Sequence, residues 1–239
     1  MKSLKDAKRT ADRDIYLKED RFNKPKEYFK LILQHLKKDQ ARAASIVDVG
    51  CATGEFLAFI AQQIPAIKKI CGIDVIPDFF EVARKHLPSA QFVIEKIDNP
   101  KFRHPSRYDA ATLLGVISVT FEPEIVIKNM LSLLNPGGVA YVLSNFNKDP
   151  IDVLINYRRS GVSEQWETGF NVFSMRTMED IVKKTGARHE WVDFRMPFAI
   201  PKTDDPMRGW TEPFRDNPHT VFYGTSQHTT FKILKIFAA

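Results

Sequence analysis

The sequence predicts an α/β protein: a doubly wound, mostly parallel seven-stranded sheet with helices on both faces and an N-terminal helical cover. Three observations predict it. Short β-branched apolar runs alternate with helical stretches along the chain, which is the order a parallel sheet with crossover helices requires. The first two runs end in a glycine-bearing turn and in an aspartate, where such sheets present ligand sites. At 239 residues the chain can bury one sizeable core.

Taken in order, Pro25 to Leu36 carries Tyr28, Phe29, Leu31, Ile32, Leu33 and Leu36, so Pro25 opens an amphipathic helix expected to pack on the sheet and reach over the first turn. Ile46, Val47 and Val49 mark the first strand. Phe56, Leu57, Phe59, Ile60 and Ile64 form a helix face that Pro65 ends, and residues 69–75 read as the second strand. A helix over Pro77 to Leu87, a third strand over Gln91 to Ile94, a fourth over Asp109 to Gly115, a helix over Glu124 to Leu134 and a fifth strand over Val139 to Ser144 follow. Beyond Asn145, Asp152 to Arg159 and Met178 to Thr185 are expected as helices, and Trp191 to Met196 and Phe231 to Phe237 as strands; Gly186 suits a helix C-cap. Pro197 to Pro218, with Phe198, Trp210 and Phe214 among its prolines, is expected as a long ordered loop.

The stretch Ser45 to Asp74 carries the most chemistry. Gly50 and Gly54 in the turn Asp48-Val-Gly-Cys-Ala-Thr-Gly54 let the backbone bend sharply beside a ligand, and the following helix presents unpaired N–H groups. Asp48 opens this turn and Glu55 closes it, an acidic setting that suits a cationic ligand better than a pyrophosphate. S-adenosylmethionine has an ammonium, a sulfonium and a ribose diol that a carboxylate such as Asp74 accepts.

Val47-Asp-Val-Gly-Cys-Ala-Thr-Gly54 resembles the first motif of class I S-adenosylmethionine-dependent methyltransferases. Gly72-Ile-Asp-Val75 resembles the family's ribose-binding motif, Tyr108-Asp-Ala-Ala-Thr-Leu-Leu-Gly-Val116 its fourth strand, and Leu134-Asn-Pro-Gly-Gly-Val139 its proline-glycine turn before the fifth. The resemblance covers about residues 43–145 and implies a Rossmann-like fold. It also implies two units: a helical cover and basic arm over 1–42, and a methyltransferase domain over 43–239, split into a cofactor half (43–145) and an acceptor-side half (146–239).

The resemblance further implies that Asp48 orients the methionine ammonium, that backbone groups of Gly50, Cys51 and Ala52 line the methionyl side, and that Gly54 packs against the strand. Asp74 accepts both ribose hydroxyls, Val75 and Ile76 flank the adenine, and Asp98 receives its amino group, with Glu95 as a competitor. Leu114, Gly115 and Val116 lie under the methyl-transfer centre. Acceptor contacts are expected where loops converge at the strand ends, from Ser118, Asn145, Asn147, Tyr157, Arg158, Arg208 and Trp210. Arg158 and Arg159 before Ser160-Gly161 suit an anionic group, with a solvated helix end as the plainer reading; Trp210 suits ring stacking or the anchoring of a loop. Methyl transfer proceeds largely by proximity and orientation. A hydroxyl acceptor of high pKa adds the need for a base, for which His189, His219, His228, Asp149 and Glu167 are candidates without a distinguishing motif. The weak similarity of the C-terminal half to methylators of surface-glycan and natural-product pathways favours a small polar acceptor such as a sugar or nucleotide-sugar.

Charge and cysteines limit the alternatives. Residues 1–42 hold 13 Lys+Arg against 7 Asp+Glu, and the remainder is balanced at 22 against 22. A basic arm of this kind leaves an RNA substrate open, although its alternating acids read as a solvated helix. An NAD-dependent oxidoreductase is disfavoured because Gly-x-Gly-x-x-Gly is missing, and a non-catalytic cofactor-binding module remains an alternative. Cys51 and Cys71 neither make a disulfide framework nor sit at metal-ligand spacing, so no metal is expected. With no apolar run of transmembrane length and a charged N-terminus, a cytoplasmic protein is expected; the oligomeric state is open.

Overall fold

The computed structural model describes residues 13–18, 21–158, 161, 164–204, 208–222 and 230–238. Helices α1 (Arg13–Lys18) and α2 (Glu27–Asp39) precede the sheet. An alternating core follows: β1 (Ser45–Val49), α3 (Glu55–Gln63), β2 (Lys69–Asp74), α4 (Phe79–His86), β3 (Gln91–Ile94), β4 (Tyr108–Leu114), a 3-10 turn at Val116–Val119, α5 (Pro123–Ser132) and β5 (Leu134–Asn147). The rest comprises β6 (Asn156–Tyr157), β7 (Glu167–Thr168), β8 (Phe173–Ser174), α6 (Met175–Lys184), β9 (Arg188–Phe194), β10 (Trp210–Phe214), β11 (Asn217–Phe222) and β12 (Thr230–Phe237).

The sheet runs in the order β3-β2-β1-β4-β5-β12-β9, the expected seven strands, with the two-residue β8 added beside β5. β1 to β5 pair in parallel, while β12 runs antiparallel to both β5 and β9. All five residues of β1 are buried, as a central parallel strand covered on both faces must be. Phe29, Ile32, Phe56, Ile60 and Phe79 of α2, α3 and α4 fill one face. Val126, Met130, Met178 and Ile181 of α5 and α6 fill the other.

Three elements differ from expectation. No helix forms over 152–158; instead Val153 bridges Val172, and β6 pairs with β7. The cause is Asn171, fully buried, whose side-chain oxygen accepts the Ile155 N–H at 2.7 Å while its amide donates to the Thr120 carbonyl at 2.7 Å. Alongside these bonds, the Val153 and Ile155 carbonyls, which a helix would use as acceptors, accept the Val172 and Gly169 N–H groups instead. Arg159 lies outside the described residues.

The expected loop over 197–218 contains most of the β10–β11 hairpin. Its prolines hide the strand pattern, and Pro213 falls where the register shifts between Glu212 and Phe214, a place where a two-stranded ribbon tolerates proline. Third, β5 begins at Leu134. Leu134 pairs with Tyr108 and Val139 with Ala110, so the proline-glycine turn is an excursion within the strand, with Gly137 at φ 75.

Candidate functional site

The turn after β1 is built by close approaches only certain residues allow. Gly50 has φ 73, and a Cβ there would sit 2.1 Å from Cγ2 of Val116. Its N–H and that of Cys51 donate to the Ile73 carbonyl at 2.7 and 3.1 Å, which ties the turn to the end of β2. Ala52 holds a left-handed φ of 46, a strained state for a residue with a Cβ, and its N–H donates to Asp74 Oδ2 at 2.9 Å. The N–H groups of Gly50, Cys51 and Ala52 are therefore spent inside the protein. Gly54, at φ 82, faces Ala83 of α4 rather than the strand expected from sequence; a Cβ would lie 3.3 Å from that of Ala83. Cys51 is buried, and burial pushes its thiol well above the ordinary range, so it serves as packing in the turn.

Three acids meet at this turn. Asp48, Glu55 and Asp74 are 2%, 5% and 8% exposed. Asp48 accepts a hydrogen bond from the Thr112 hydroxyl at 2.6 Å. Burial nevertheless lifts its pKa to about 8; Thr112 opposes that rise, while the charges of Asp74 and Glu55 add to it. Burial also raises Asp74, against the three backbone N–H groups of Ala52, Val75 and Ile76 that it accepts. A carboxylate offers about four lone-pair sites. As it stands, Asp74 has room for one further donor, not the two ribose hydroxyls expected. Thr53 Oγ1 and Glu55 Oε1 are buried with no hydrogen-bond partner among the described residues. None of the three acids forms an ion pair among those residues.

The surroundings of the acids lie at the C-terminal ends of β2, β1 and β4. Val75 and Ile94, 56% and 59% exposed, stand at the ends of neighbouring strands, where Asp74 registers with Ile94, and Ile76 follows. Asp98 pairs with Lys96 at 3.2 Å on a loop that the Asn129 amide holds through the carbonyls of Ile97 and Asn99. Leu114 ends β4; the Gly115 N–H donates to Leu143, and Val116 presses on Gly50. Above, Arg13 donates to Asp78 at 2.8 Å, Tyr16 meets Phe79 edge-on, and Phe22 stacks on His86. Lys26 lies 5.2 Å from the Tyr16 ring and acts on Asp48 from a distance. Tyr28, whose hydroxyl burial raises well above its ordinary pKa, feels the charges of Asp48 and Glu55. Sequence reasoning missed Thr112, Thr53, Tyr28 and Ile94 as site residues. A lone threonine in an apolar strand was the one signal for Thr112.

The acceptor-side candidates are scattered. Ser118 donates to the Gly115 carbonyl at 2.6 Å, and Asn145 is 4% exposed with Oδ1 unpartnered. Tyr157 donates to Glu167 at 2.8 Å, and Arg158 pairs with Glu164 at 3.1 Å. Trp210 is 9% exposed, stacks on Phe222 and donates to Glu212, so it anchors the hairpin instead of offering a stacking face. Arg208 precedes that hairpin. His189 sits 3.9 Å from Glu179; His228 lies outside the described residues. Among the described residues, no group of three or more His, Cys, Asp or Glu is arranged to hold a metal.

A cavity of about 490 Å³ opens between the end of β5, the end of β9, the start of β12 and the β10–β11 hairpin. Phe146, Phe194, Phe214 and Phe231 wall it, and Asn147, Asp149 and His219 are the sequence candidates that reach it. A smaller hollow of about 270 Å³, lined by Arg107, Leu134 and Ala238, lies at the opposite end of the strands, where β4 and β5 begin, away from the acids.

Residues 47–140, from β1 into β5, match the family model described as a methyltransferase domain. This segment is similar to a methyltransferase domain. The ubiquinone biosynthesis O-methyltransferase of Xanthomonas campestris pv. campestris (strain B100) is 31% identical over 114 residues, 45% of each chain. That of Klebsiella pneumoniae subsp. pneumoniae is 25% identical over 108 residues, 44% of this chain and 43% of that one. The chain thus covers less than half the length of these curated relatives. Among solved structures, CalS10 of Micromonospora echinaspora, an amino pentose methyltransferase with SAM bound, aligns with TM-score 0.58 and 14% identity over 94% of this chain and 97% of that one. DesVI of Streptomyces venezuelae aligns with TM-score 0.58 and 16% identity over 96% and 98%. At these identities the alignments bear on the fold, which is that of class I methyltransferases. The matched segment contains Asp48, the glycine turn and Asp74; residues 146–239, with the large cavity, lie outside it.

Proposed function

We propose that this chain transfers a methyl group from S-adenosylmethionine to a small polar acceptor of sugar, nucleotide-sugar or natural-product type. One observation carries the reading: three buried acids converge on the glycine turn with no ion-paired cation among the described residues, and Asp48 is pushed to about 8 by burial and its acidic neighbours. A cationic ligand relieves that arrangement, because bringing positive charge to the acids restores their ionised forms. The residues fit the cofactor. Asp48, Glu55 and the unpartnered Thr53 hydroxyl would face its methionine end, the open lone pair of Asp74 its ribose, and Val75 and Ile94 its adenine.

When bound, S-adenosylmethionine supplies an activated methyl carbon on a sulfonium. The chain itself orients and excludes water. Tyr16, Lys26 and Tyr28 roof the acids from the N-terminal side, and Gly115 and Val116 close them from β4. Curated relatives named as O-methyltransferases and fold neighbours named as sugar methylators support a small acceptor. Calorimetric titration with S-adenosylmethionine, S-adenosylhomocysteine and NAD, with Asp74→Ala as the matched control, tests the reading. Micromolar binding of the first two, lost in the variant, is expected; binding of NAD alone sinks it.

A further inference from the structure

We propose that Cys71 Sγ and His104 Nε2 form a two-coordinate site for one soft monovalent metal ion of closed d shell, copper(I) or silver(I). The site goes beyond the methyl-transfer reading and does not depend on it.

Geometry is the first ground. Cys71, in the middle of β2, packs in the cluster that α5 and α6 cover, and His104 stands on the loop entering β4 with its Nε2 3.9 Å from Sγ. Bonds from a closed-shell metal ion to a thiolate sulfur and an imidazole nitrogen are roughly 2.3 and 2.0 Å, so an ion in line between them spans about 4.3 Å. The two atoms have to part by about 0.4 Å, a shift within reach of a ring carried on a loop. The pair lies 33 positions apart in the chain, a separation that no metal-binding spacing marks.

The ring is already oriented. His104 Nδ1 lies 3.0 Å from the Ser106 carbonyl oxygen and 3.3 Å from the Ser106 nitrogen. The shorter contact is to an atom that only accepts, so Nδ1 carries the hydrogen and Nε2 turns a lone pair towards Cys71. A backbone carbonyl on the far ring nitrogen is the usual support of a metal-binding histidine.

Tyr108 is the independent sign of a missing group. It is fully buried, and its hydroxyl has no hydrogen-bond partner among the described residues. The phenol favours the ionised form of Cys71, so it stands beside the sulfur as a donor for a thiolate. Without a metal, burial outweighs this help and raises the thiol, which stays protonated and is a poor nucleophile. On binding, the S–H bond breaks, its electron pair forms the sulfur–metal bond, and the proton passes to solvent. Nothing is oxidised or reduced.

Charge and ligand number name the class of ion. A thiolate, a neutral imidazole and a monovalent ion sum to zero, which a buried site tolerates. A divalent ion leaves a net positive charge there, with the Lys69 ammonium already 4.5 Å from the Tyr108 ring. Among the described residues no third His, Cys, Asp or Glu joins the pair, so a tetrahedral zinc set is incomplete, and a thiolate suits copper(I).

The probe is silver(I), added as nitrate to the full chain in chloride-free buffer. X-ray absorption of the complex at one equivalent is expected to show one sulfur and one nitrogen neighbour, and the thermal unfolding midpoint is expected to rise. In His104→Gln the nitrogen neighbour and the thermal shift disappear, and calorimetry shows binding at least about tenfold weaker. Cys51→Ala keeps the site and Cys71→Ser loses it. Should Cys71→Ser fail to fold, His104→Gln and the absorption spectrum decide alone. Coordination by sulfur only, binding unchanged in His104→Gln, or loss of the ion in Cys51→Ala overturns the site. Zinc(II) held as tightly as silver(I) overturns the monovalent, two-coordinate class.

Discussion

Two clusters of carboxylates in this molecule have opposite solutions to the same problem. On the face covered by α2, Lys235 is fully buried, with Nζ 3.1 Å from Asp39, 3.2 Å from Glu190 and 3.3 Å from His35 Nδ1, and Tyr141 donates to the same Asp39 oxygen. Every charge there has a partner, and the knot ties the helix preceding the sheet to its last strand. At the glycine turn Asp48, Glu55 and Asp74 are all buried, whereas the Glu190 side chain of the first cluster is half exposed, yet among the described residues no cation pairs with them. Buried charge is costly unless paired, so a satisfied cluster reads as structure and an unsatisfied one as a place for a ligand.

Removing the cation from the satisfied cluster should give the largest effect. Lys235→Met leaves Asp39 buried without its counter-charge and is expected to cost on the order of 3–5 kcal/mol in urea unfolding. At the unsatisfied cluster the same kind of deletion should spare folding and strike binding. Asp74→Ala is expected to weaken S-adenosylmethionine at least 100-fold in calorimetry, although freeing Ala52 from its carboxylate partner also loosens the turn. If Asp74→Ala unfolds the protein as readily as Lys235→Met, the contrast between the clusters fails.

A third test uses pH. Asp48 moves from an unfolded value of 3.8 to about 8 in the ligand-free fold, so between those values the folded state holds more protons, and stability falls as pH rises through that window. Asp48→Asn should flatten this slope. At pH 7 a cation bound by wild type should release a proton, seen as a binding enthalpy that varies with the ionisation enthalpy of the buffer, and the variant should not release one. The smallest effect is expected at Asp109. Burial raises its pKa, but bonds from the Ala44 and Ser45 N–H groups, the Asn135 amide and the Ser45 hydroxyl outweigh burial and hold it below the ordinary value. Its contribution is present at neutral pH and is lost as pH falls through the lowered folded value. Asp109→Asn should cost about 1–2 kcal/mol at pH 7 and little in strong acid, read by thermal unfolding at the two pH values.

Legibility in the sequence followed the range of the interactions. β3 falls on the residues expected for it, and the other early strands and helices lie within a few residues of expectation, because apolar period and terminating prolines are local signals. The helix expected over 152–159 fails because Asn171, remote in sequence, takes over that segment's backbone. The hairpin at 210–222 was hidden because its prolines sit at the ribbon's irregular register. In the site, the acids and glycines were visible in the turn, whereas Thr112 and the roof of Tyr16, Lys26 and Tyr28 were not.

By itself, the sequence determined the strand–turn–helix order, the positive-φ turn at Gly50 and Gly54, and the acids at the strand ends, since each depends on a few adjacent residues and their sterics. Only the tertiary structure decided that the Thr112 hydroxyl meets Asp48 across 64 positions, that no cation pairs with the acids among the described residues, and that His219 is held by a carbonyl 23 positions away at the wall of a cavity. Those outcomes depend on strand register and on which distant segments pack together, and neither has a local periodicity.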